Sequence, residues 1–165
     1  MKKWIVVLLS VFFLTGCGSA ETFETMGQID HVSATKPILR SVTVTLPEDA
    51  LMEVSDSNTG VTLYECDGYT IYLQTFDSGN LQATIRGISG FALEDLMVME
   101  SVCGDHTRYD WVWTAVADEG ELVCRGAILD DGGYHYSLCV VGDVQSAGKF
   151  GDAWNTLFSS FCLQA

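Results

Sequence analysis

The feature that most constrains the fold lies in the C-terminal third, where three β-forming runs precede one long amphipathic stripe. The runs Arg108–Val116, Glu121–Leu129 and Tyr134–Val141 are separated by short loops rich in Asp and Gly, which predicts three adjacent antiparallel strands. The stripe has spacings of three and four residues and consists of Ala147, Phe150, Trp154, Leu157 and Phe161. Because a helix must bury so large an apolar face against a sheet, the pattern predicts an α+β domain.

Earlier segments predict further strands. Ser41–Leu46 alternates apolar and polar residues and is followed by a proline, which is typical of a strand and a turn. Val61–Phe76 has Asp67-Gly68 at its centre and predicts a hairpin, since a type I′ turn needs positive φ at both central positions. We expect Leu81–Ile88 to be the third strand of this meander.

A first helix is predicted before the C-terminal meander. Its apolar positions recur at spacings of four, three and four: Ala92, Leu96, Met99 and Cys103. We expect it to begin near Ser89-Gly90 and to end at Gly104.

Two of the predicted strands are apolar on both faces, at Leu122-Val123-Cys124 and Leu138–Val141, so the sheet needs cover on each side. The sequence therefore predicts an antiparallel β-sheet of about six strands sandwiched by two helices.

This order of elements resembles the PsbP-like fold, in which helices sandwich an antiparallel sheet. The closing segment Trp154-Asn155-Thr156-Leu157-Phe158-Ser159-Ser160-Phe161 also resembles the last helix of bacterial lipoproteins with that fold. The resemblance covers most of residues 41–163 and rests on element order and one segment. It implies an accessory or binding role, and it supplies no catalytic residues.

The N-terminus has the pattern of an exported lipoprotein. Lys2 and Lys3 precede a largely apolar run over residues 4–14, which is shorter than the ~20 residues that cross a bilayer and is typical of an export signal. Leu14-Thr15-Gly16-Cys17 resembles a bacterial lipobox, in which the leader is cut before the cysteine and its thiol receives a diacylglyceryl group with palmitate-type acyl chains. The alternative is an ordinary secretory leader that happens to end in cysteine.

The lipobox predicts the domain organisation and the location. Residues 1–16 would be a signal peptide, 17–37 a lipid-anchored flexible tether and 38–165 a single domain. The protein would lie on the extracytoplasmic face of the cell membrane. Gly18 follows the lipid-bearing cysteine where a retention signal would resemble Asp, so outer-membrane delivery is expected if the organism has two membranes.

The strongly negative net charge of the chain excludes some classes of binding partner. The chain has 8 basic and 22 acidic residues and a net charge of −14, and removal of the leader takes away two lysines and gives −16. Nucleic acid is not expected as a partner, because phosphate backbones need a basic footprint. The membrane would be reached through the lipid on Cys17 and not through a polybasic patch.

Five cysteines remain once Cys17 carries lipid: Cys66, Cys103, Cys124, Cys139 and Cys162. Their odd number leaves at least one unpaired or joined to another chain. Cys103 and His106 could act as nucleophile and base in a small hydrolase, although nothing marks an oxyanion hole. The predicted loops place Cys124 directly opposite Cys139, and the two-residue turn that Asp131-Gly132 favours predicts neighbouring reduced thiols.

We expect no metal and no cofactor. The histidines are scattered, and no Cys-x-x-Cys pair occurs. Two acidic loops could offer oxygen ligands to Ca²⁺: Asp118, Glu119 and Glu121 in one, and Asp130 and Asp131 in the other. Both are hairpin loops, in which Asp and Gly are expected for turn geometry alone.

The candidate ligand site is an aromatic surface. A three-residue loop over residues 118–120 would place Trp113 opposite Arg125. One face of the sheet would then carry Tyr109, Trp111, Trp113, Arg125, Tyr134 and Tyr136. This face would be either an open ligand platform or the floor beneath the second helix, and the helix stripe favours the floor.

The sequence thus predicts a membrane-anchored binding or accessory module and not an enzyme. Its ligand, a protein or a small molecule, is not identified by any motif. The alternatives are a hydrolase that uses Cys103 and His106, and a structural subunit of the cell envelope.

Overall fold

The computed structural model describes residues 38–56, 60–118 and 120–164. Two α-helices lie in this part of the chain, α1 (Leu81–Ser89) and α2 (Ala147–Ser160). The strands are β1 (Val42–Thr43), β2 (Leu51–Asp56), β3 (Val61–Cys66), β4 (Tyr69–Asp77), β5 (Val98–Cys103), β6 (His106–Ala117), β7 (Gly120–Asp130), β8 (Tyr134–Asp143) and β9 (Cys162–Leu163). The described residues thus form an α+β domain, as predicted.

Seven strands form one antiparallel sheet in the order β2-β3-β4-β8-β7-β6-β5, while β1 and β9 pair as a separate two-stranded sheet. The main sheet therefore has seven strands where about six were expected. The hairpin at Asp67-Gly68 is confirmed, but its turn is not type I′, because Gly68 has a positive φ of 86° and Asp67 does not have a positive φ. The predicted strand Ser41–Leu46 is reduced to Val42–Thr43, which pairs with the C-terminal β9.

Each face of the main sheet has its own core. On the side of α2, the α2 face, the buried residues of the sheet are Tyr69, Ile71, Ala127, Leu129, Tyr134, Tyr136, Leu138 and Val140. On the side of α1, the α1 face, the buried residues are Ile85, Trp111, Trp113, Cys124, Ile128 and Cys139. Cover on both sides was predicted from strands that are apolar on both faces, and it is present.

The helix α2 is confirmed at Ala147–Ser160. It buries Phe150, Trp154, Leu157 and Phe158 against the sheet. Phe150 and Trp154 stack on each other with ring centroids 4.7 Å apart, and Phe150 also packs on Tyr69 at 5.2 Å. The apolar stripe read from the sequence is therefore the face that binds α2 to the sheet.

The first helix was predicted in the wrong segment. Leu81–Ser89 is the helix α1 where a strand was expected, and the segment predicted as a helix contains β5. Asn80 begins α1 by accepting a hydrogen bond from the Ala83 amide at 3.1 Å, and Gly90 ends it in the left-handed conformation. Leu81, Ile85 and Ile88 recur at spacings of four and three residues, which is the helical period. The sequence therefore contained both capping residues and the apolar stripe of this helix.

The register between β6 and β7 also differs from the prediction. The last paired residues are Ala117 and Gly120, so the loop has two residues and not three. Trp113 consequently pairs with Cys124, and Arg125 pairs with Val112. Because strand residues alternate between faces, this shift of one residue moves the β6 aromatics to the other face of the sheet.

The β7–β8 pairing corrects the expected position of two cysteines. Asp130 pairs with His135, so Cys124 lies opposite Val141 and Cys139 lies opposite Gly126. The predicted direct pairing of Cys124 with Cys139 is therefore wrong. Both remain on the α1 face as buried free thiols in neighbouring strands.

Candidate functional site

The predicted aromatic platform is divided between the two faces of the sheet. Tyr109, Trp111 and Trp113 belong to the α1 face, where Trp111 is 2% exposed and Trp113 is 9% exposed. Arg125, Tyr134 and Tyr136 belong to the α2 face. The prediction of one shared surface is therefore wrong, because it rested on a loop one residue too long. Tyr134 and Tyr136 do form part of the floor beneath α2.

The α2 face carries a cluster of three charged side chains beside the C-terminal half of α2. Arg108 binds the Asp110 carboxylate with two nitrogens, at 2.6 Å and 2.9 Å. It also donates to the backbone oxygens of Phe158 and Phe161, at 2.9 Å and 3.1 Å. The bonds to Phe158 and Phe161 link β6 to the end of α2, and the bond to Asp110 is the largest cause of the raised pKa of Arg108. Arg108 thus has a structural role.

Arg125 completes this cluster but is held less tightly. Its guanidinium carbon lies 4.1 Å from the centre of the Phe158 ring, a cation–π contact with α2. Its polar contacts are long: 3.5 Å to the Asn155 side-chain oxygen and 3.8 Å to Asp110. Burial lowers the pKa of Arg125, and the positive charge of Arg108 acts in the same direction against the attraction of Asp110. Two guanidinium groups therefore share one carboxylate, and the arginine cluster of Arg108, Asp110 and Arg125 has a net charge of +1.

Beside the arginine cluster lies an apolar surface that α2 leaves uncovered. Met99 pairs with Asp110, which pairs with Ala127 of the α2 core, so Met99 projects from the α2 face. Met97 is 86% exposed, Met99 is 66% exposed and Val112 is 63% exposed. We call Met97, Met99 and Val112 the open strip.

The open strip and the arginine cluster border one shallow groove of about 230 Å³, lined by Met97, Met99, Asp110, Trp111, Val112 and Arg125. Sequence reasoning identified Arg125 and Trp111 as site residues but missed Met97, Met99, Asp110 and Val112. It placed Met99 on the apolar stripe of a helix, whereas in the structure this residue projects from an edge strand. One sequence signal for the groove was available. Val112 lies between two tryptophans of the same strand, so its side chain must project from the face opposite to theirs.

The cysteine and histidine of the alternative hydrolase lie at the tip of the β5–β6 hairpin. Cys103 pairs with His106 across the turn and is exposed, whereas the sequence placed it among the apolar positions of a helix. The His106 Nδ1 lies 3.1 Å from Asp105, whose carboxylate also accepts a 2.9 Å bond from Arg40. These two bonds lower the pKa of Asp105, with the His106 contact as the largest cause. The Cys103 Sγ lies 4.0 Å from the Ser101 hydroxyl and the His106 ring contacts Asp105, so within residues 60–118 these two side chains form no hydrogen bond with each other.

The acidic loop at Asp130 and Asp131 is occupied by contacts within the protein. Asp131 accepts bonds from the Gly133 and Tyr134 amides and from the Tyr136 hydroxyl, at 2.9, 2.8 and 3.0 Å. Among the described residues there is no group of three or more His, Cys, Asp or Glu side chains placed to hold a metal ion. The contacts of Asp131 therefore support a role in turn geometry rather than in calcium binding.

The predicted lipidation site Cys17, the signal peptide and the tether lie outside the described residues. Within the described residues, neither helix has the length and apolar character needed to cross a bilayer.

The sheet order, the two helices and the two cores define an α+β protein with the PsbP-like fold. The chain is similar to cyanobacterial PsbP (CyanoP) from Synechocystis sp. PCC 6803, with a TM-score of 0.54 and 10% identity over 84% of this chain and 99% of that one. It is also similar to LpqN of Mycobacterium tuberculosis, which is described as involved in cell envelope biogenesis, with a TM-score of 0.51 and 12% identity over 80% and 88% of the two chains. No protein-family model and no curated protein matches the sequence. At these identities the likeness establishes the fold alone.

Proposed function

We propose that this protein is an extracytoplasmic, lipid-anchored accessory module of the cell envelope that binds its ligand on the α2 face. The open strip carries this proposal, since three apolar side chains lie exposed together beside a net positive cluster on a strongly acidic protein. Contiguous exposed apolar surface on a soluble domain is typical of an interaction site.

Two further observations support an envelope location. The lipobox-like Leu14-Thr15-Gly16-Cys17 predicts a diacylglyceryl anchor on Cys17, and two acyl chains hold a protein stably on a bilayer. The fold is also that of LpqN, which is described in connection with cell envelope biogenesis. A binding role fits the open strip better than hydrolysis fits Cys103 and His106, because that pair has no mutual hydrogen bond in the described structure.

Anchoring is tested by replacing Cys17 with Ser in the producing bacterium. The expected result is unprocessed or soluble protein, whereas Cys66→Ser should leave the protein in the membrane fraction. Normally cleaved, membrane-bound Cys17→Ser protein would rule out the lipid anchor.

Binding at the open strip of the α2 face is tested by photo-crosslinking in intact cells. A photoreactive amino acid at position 112 should give a discrete adduct, which intact mass measurement resolves as protein or small molecule. The control position is Met52, which is similarly exposed at 59% and projects from the same face, but from β2 at the opposite edge of the sheet. Equal labelling from both positions, or none from position 112, would contradict the assignment of the binding surface.

A further inference from the structure

We propose that the groove between the open strip and Arg125 binds a single-chain amphiphile with a carboxylate head group. This inference rests on the proposed binding function and specifies the chemistry of the ligand at the same surface. It follows from the polar end of the groove, from its apolar end and from the size of the space between them.

The polar end is a preorganised guanidinium group. Phe158 supports Arg125 from one face at 4.1 Å, and Asn155 and Asp110 lie at 3.5 Å and 3.8 Å. A guanidinium group has five N–H donors in a planar fork that matches a carboxylate, and these two polar contacts are at or beyond the usual length of a hydrogen bond. Arg125 therefore has donors to offer a ligand, in an orientation that is already fixed.

The charge of the cluster selects a singly charged anion. Asp110 is already bound by two nitrogens of Arg108, which leaves the charge of Arg125 uncompensated. One carboxylate would bring the cluster to neutrality. A doubly charged phosphate would leave it net negative and would meet the nearby Asp110, on a chain whose net charge is already −14.

The apolar end of the groove suits a hydrocarbon chain. Met97, Met99 and Val112 present carbon and sulfur atoms, and methionine side chains adapt their shape to a flexible ligand. The groove has a volume of about 230 Å³, which is below the usual 300–1,000 Å³ of sites for drug-sized molecules. A single acyl chain fits this space better than a folded ligand does.

Binding is measured by calorimetric titration of the purified protein with sodium decanoate below its micelle-forming concentration. Decanol serves as the uncharged probe of equal chain length. Arg125→Gln should weaken decanoate binding by ~10- to 100-fold, because a charge-assisted hydrogen-bonded pair is lost. Arg86→Gln, an exposed arginine on α1, is the matched control and should leave binding unchanged.

The apolar contact is tested separately by substituting exposed residues. Because their side chains are not buried in a core, a loss of binding cannot be attributed to unfolding. Met99→Ser should weaken decanoate binding several-fold, and Met52→Ser on β2, of similar exposure, should not. Arg125→Lys keeps the charge but loses the planar fork and should fall between wild type and Arg125→Gln. Thermal unfolding of each variant confirms that the domain remains folded.

The inference is overturned if decanoate does not bind wild type, if decanol binds equally tightly, or if Arg125→Gln or Met99→Ser binds decanoate as wild type does. If position 112 gives a protein adduct in cells but decanoate does not bind, the proposed binding function stands and the amphiphile as ligand is rejected. Failure of both experiments would reject the proposed function itself.

Discussion

Trp113 lies directly across from Cys124 in the neighbouring strand, and this pairing turns Trp113 away from Arg125. The tryptophan packs in the core beneath α1, and the arginine packs against Phe158 of α2. A large aromatic residue and a cation that were expected to share one face of the sheet thus pack against two different helices. The division leaves the α2 face without an aromatic platform and makes Arg125 the main polar group of its groove.

Trp113→Ala should lower the free energy of unfolding by ~3–5 kcal/mol, because it removes a side chain that is 91% buried from a packed core. The measurement is equilibrium unfolding in urea. The control is Val112→Ala, the exposed neighbour on the opposite face, which should change stability by no more than ~0.5 kcal/mol. Equal effects of the two substitutions would show that the register of β6 is wrong.

Gly126→Ala should also destabilise the α1 core, by ~1–3 kcal/mol. A Cβ atom at this position would lie 2.5 Å from the Trp111 ring, so the indole would have to move. Gly151→Ala in the middle of α2 has no atom within 4 Å of the new methyl group. It should stabilise the protein by ~0.5–1 kcal/mol through helix propensity. Tolerance of Gly126→Ala would contradict the close packing of Trp111.

The cysteines should differ in their rates of alkylation by iodoacetamide at neutral pH. Cys103 and Cys162 are exposed and should react in the native protein. Burial raises the pKa of Cys124 to about 11 and also raises that of Cys139, so neither should react before unfolding, since the thiolate is the nucleophile. Peptide mass spectrometry after labelling distinguishes the sites. A Cys124–Cys139 disulfide, or rapid labelling of either residue, would overturn this expectation.

Stability should fall in acid partly through Asp131. Burial acts to raise its pKa, but the amides of Gly133 and Tyr134 and the Tyr136 hydroxyl outweigh burial and hold the pKa below its ordinary value. A carboxyl group with a lowered folded-state pKa contributes stability above its unfolded pKa and loses it as the pH falls through the folded value. Asp131→Asn should therefore reduce the loss of stability below about pH 4.

The matched control for this pH dependence is Asp152→Asn on the exposed side of α2, which leaves the β7–β8 loop intact. Urea unfolding at a series of pH values measures both variants against wild type. An acid dependence that is identical in Asp131→Asn and wild type would show that the loop carboxylate does not contribute.

The sequence by itself determined the α+β class, the Asp67-Gly68 hairpin, the three C-terminal strands and α2. These elements have strong local signals, a turn dipeptide that requires positive φ or an apolar stripe sustained over several turns. Leu81–Ile88 was wrongly predicted as a strand, because a short apolar run fits a helix or a strand, and the capping residues Asn80 and Gly90 were not used as helix signals.

Only the tertiary structure decided which residues share a face. A loop shorter by one residue reversed the orientation of Trp111 and Trp113, and strand pairing converted the predicted helix around Met99 into an edge strand. The groove depends on both results, since Met99 and Val112 come from different strands and Arg125 from a third. Local propensity does not specify such contacts, because hydrogen bonding between strands and burial beneath the helices fix the register of the whole sheet.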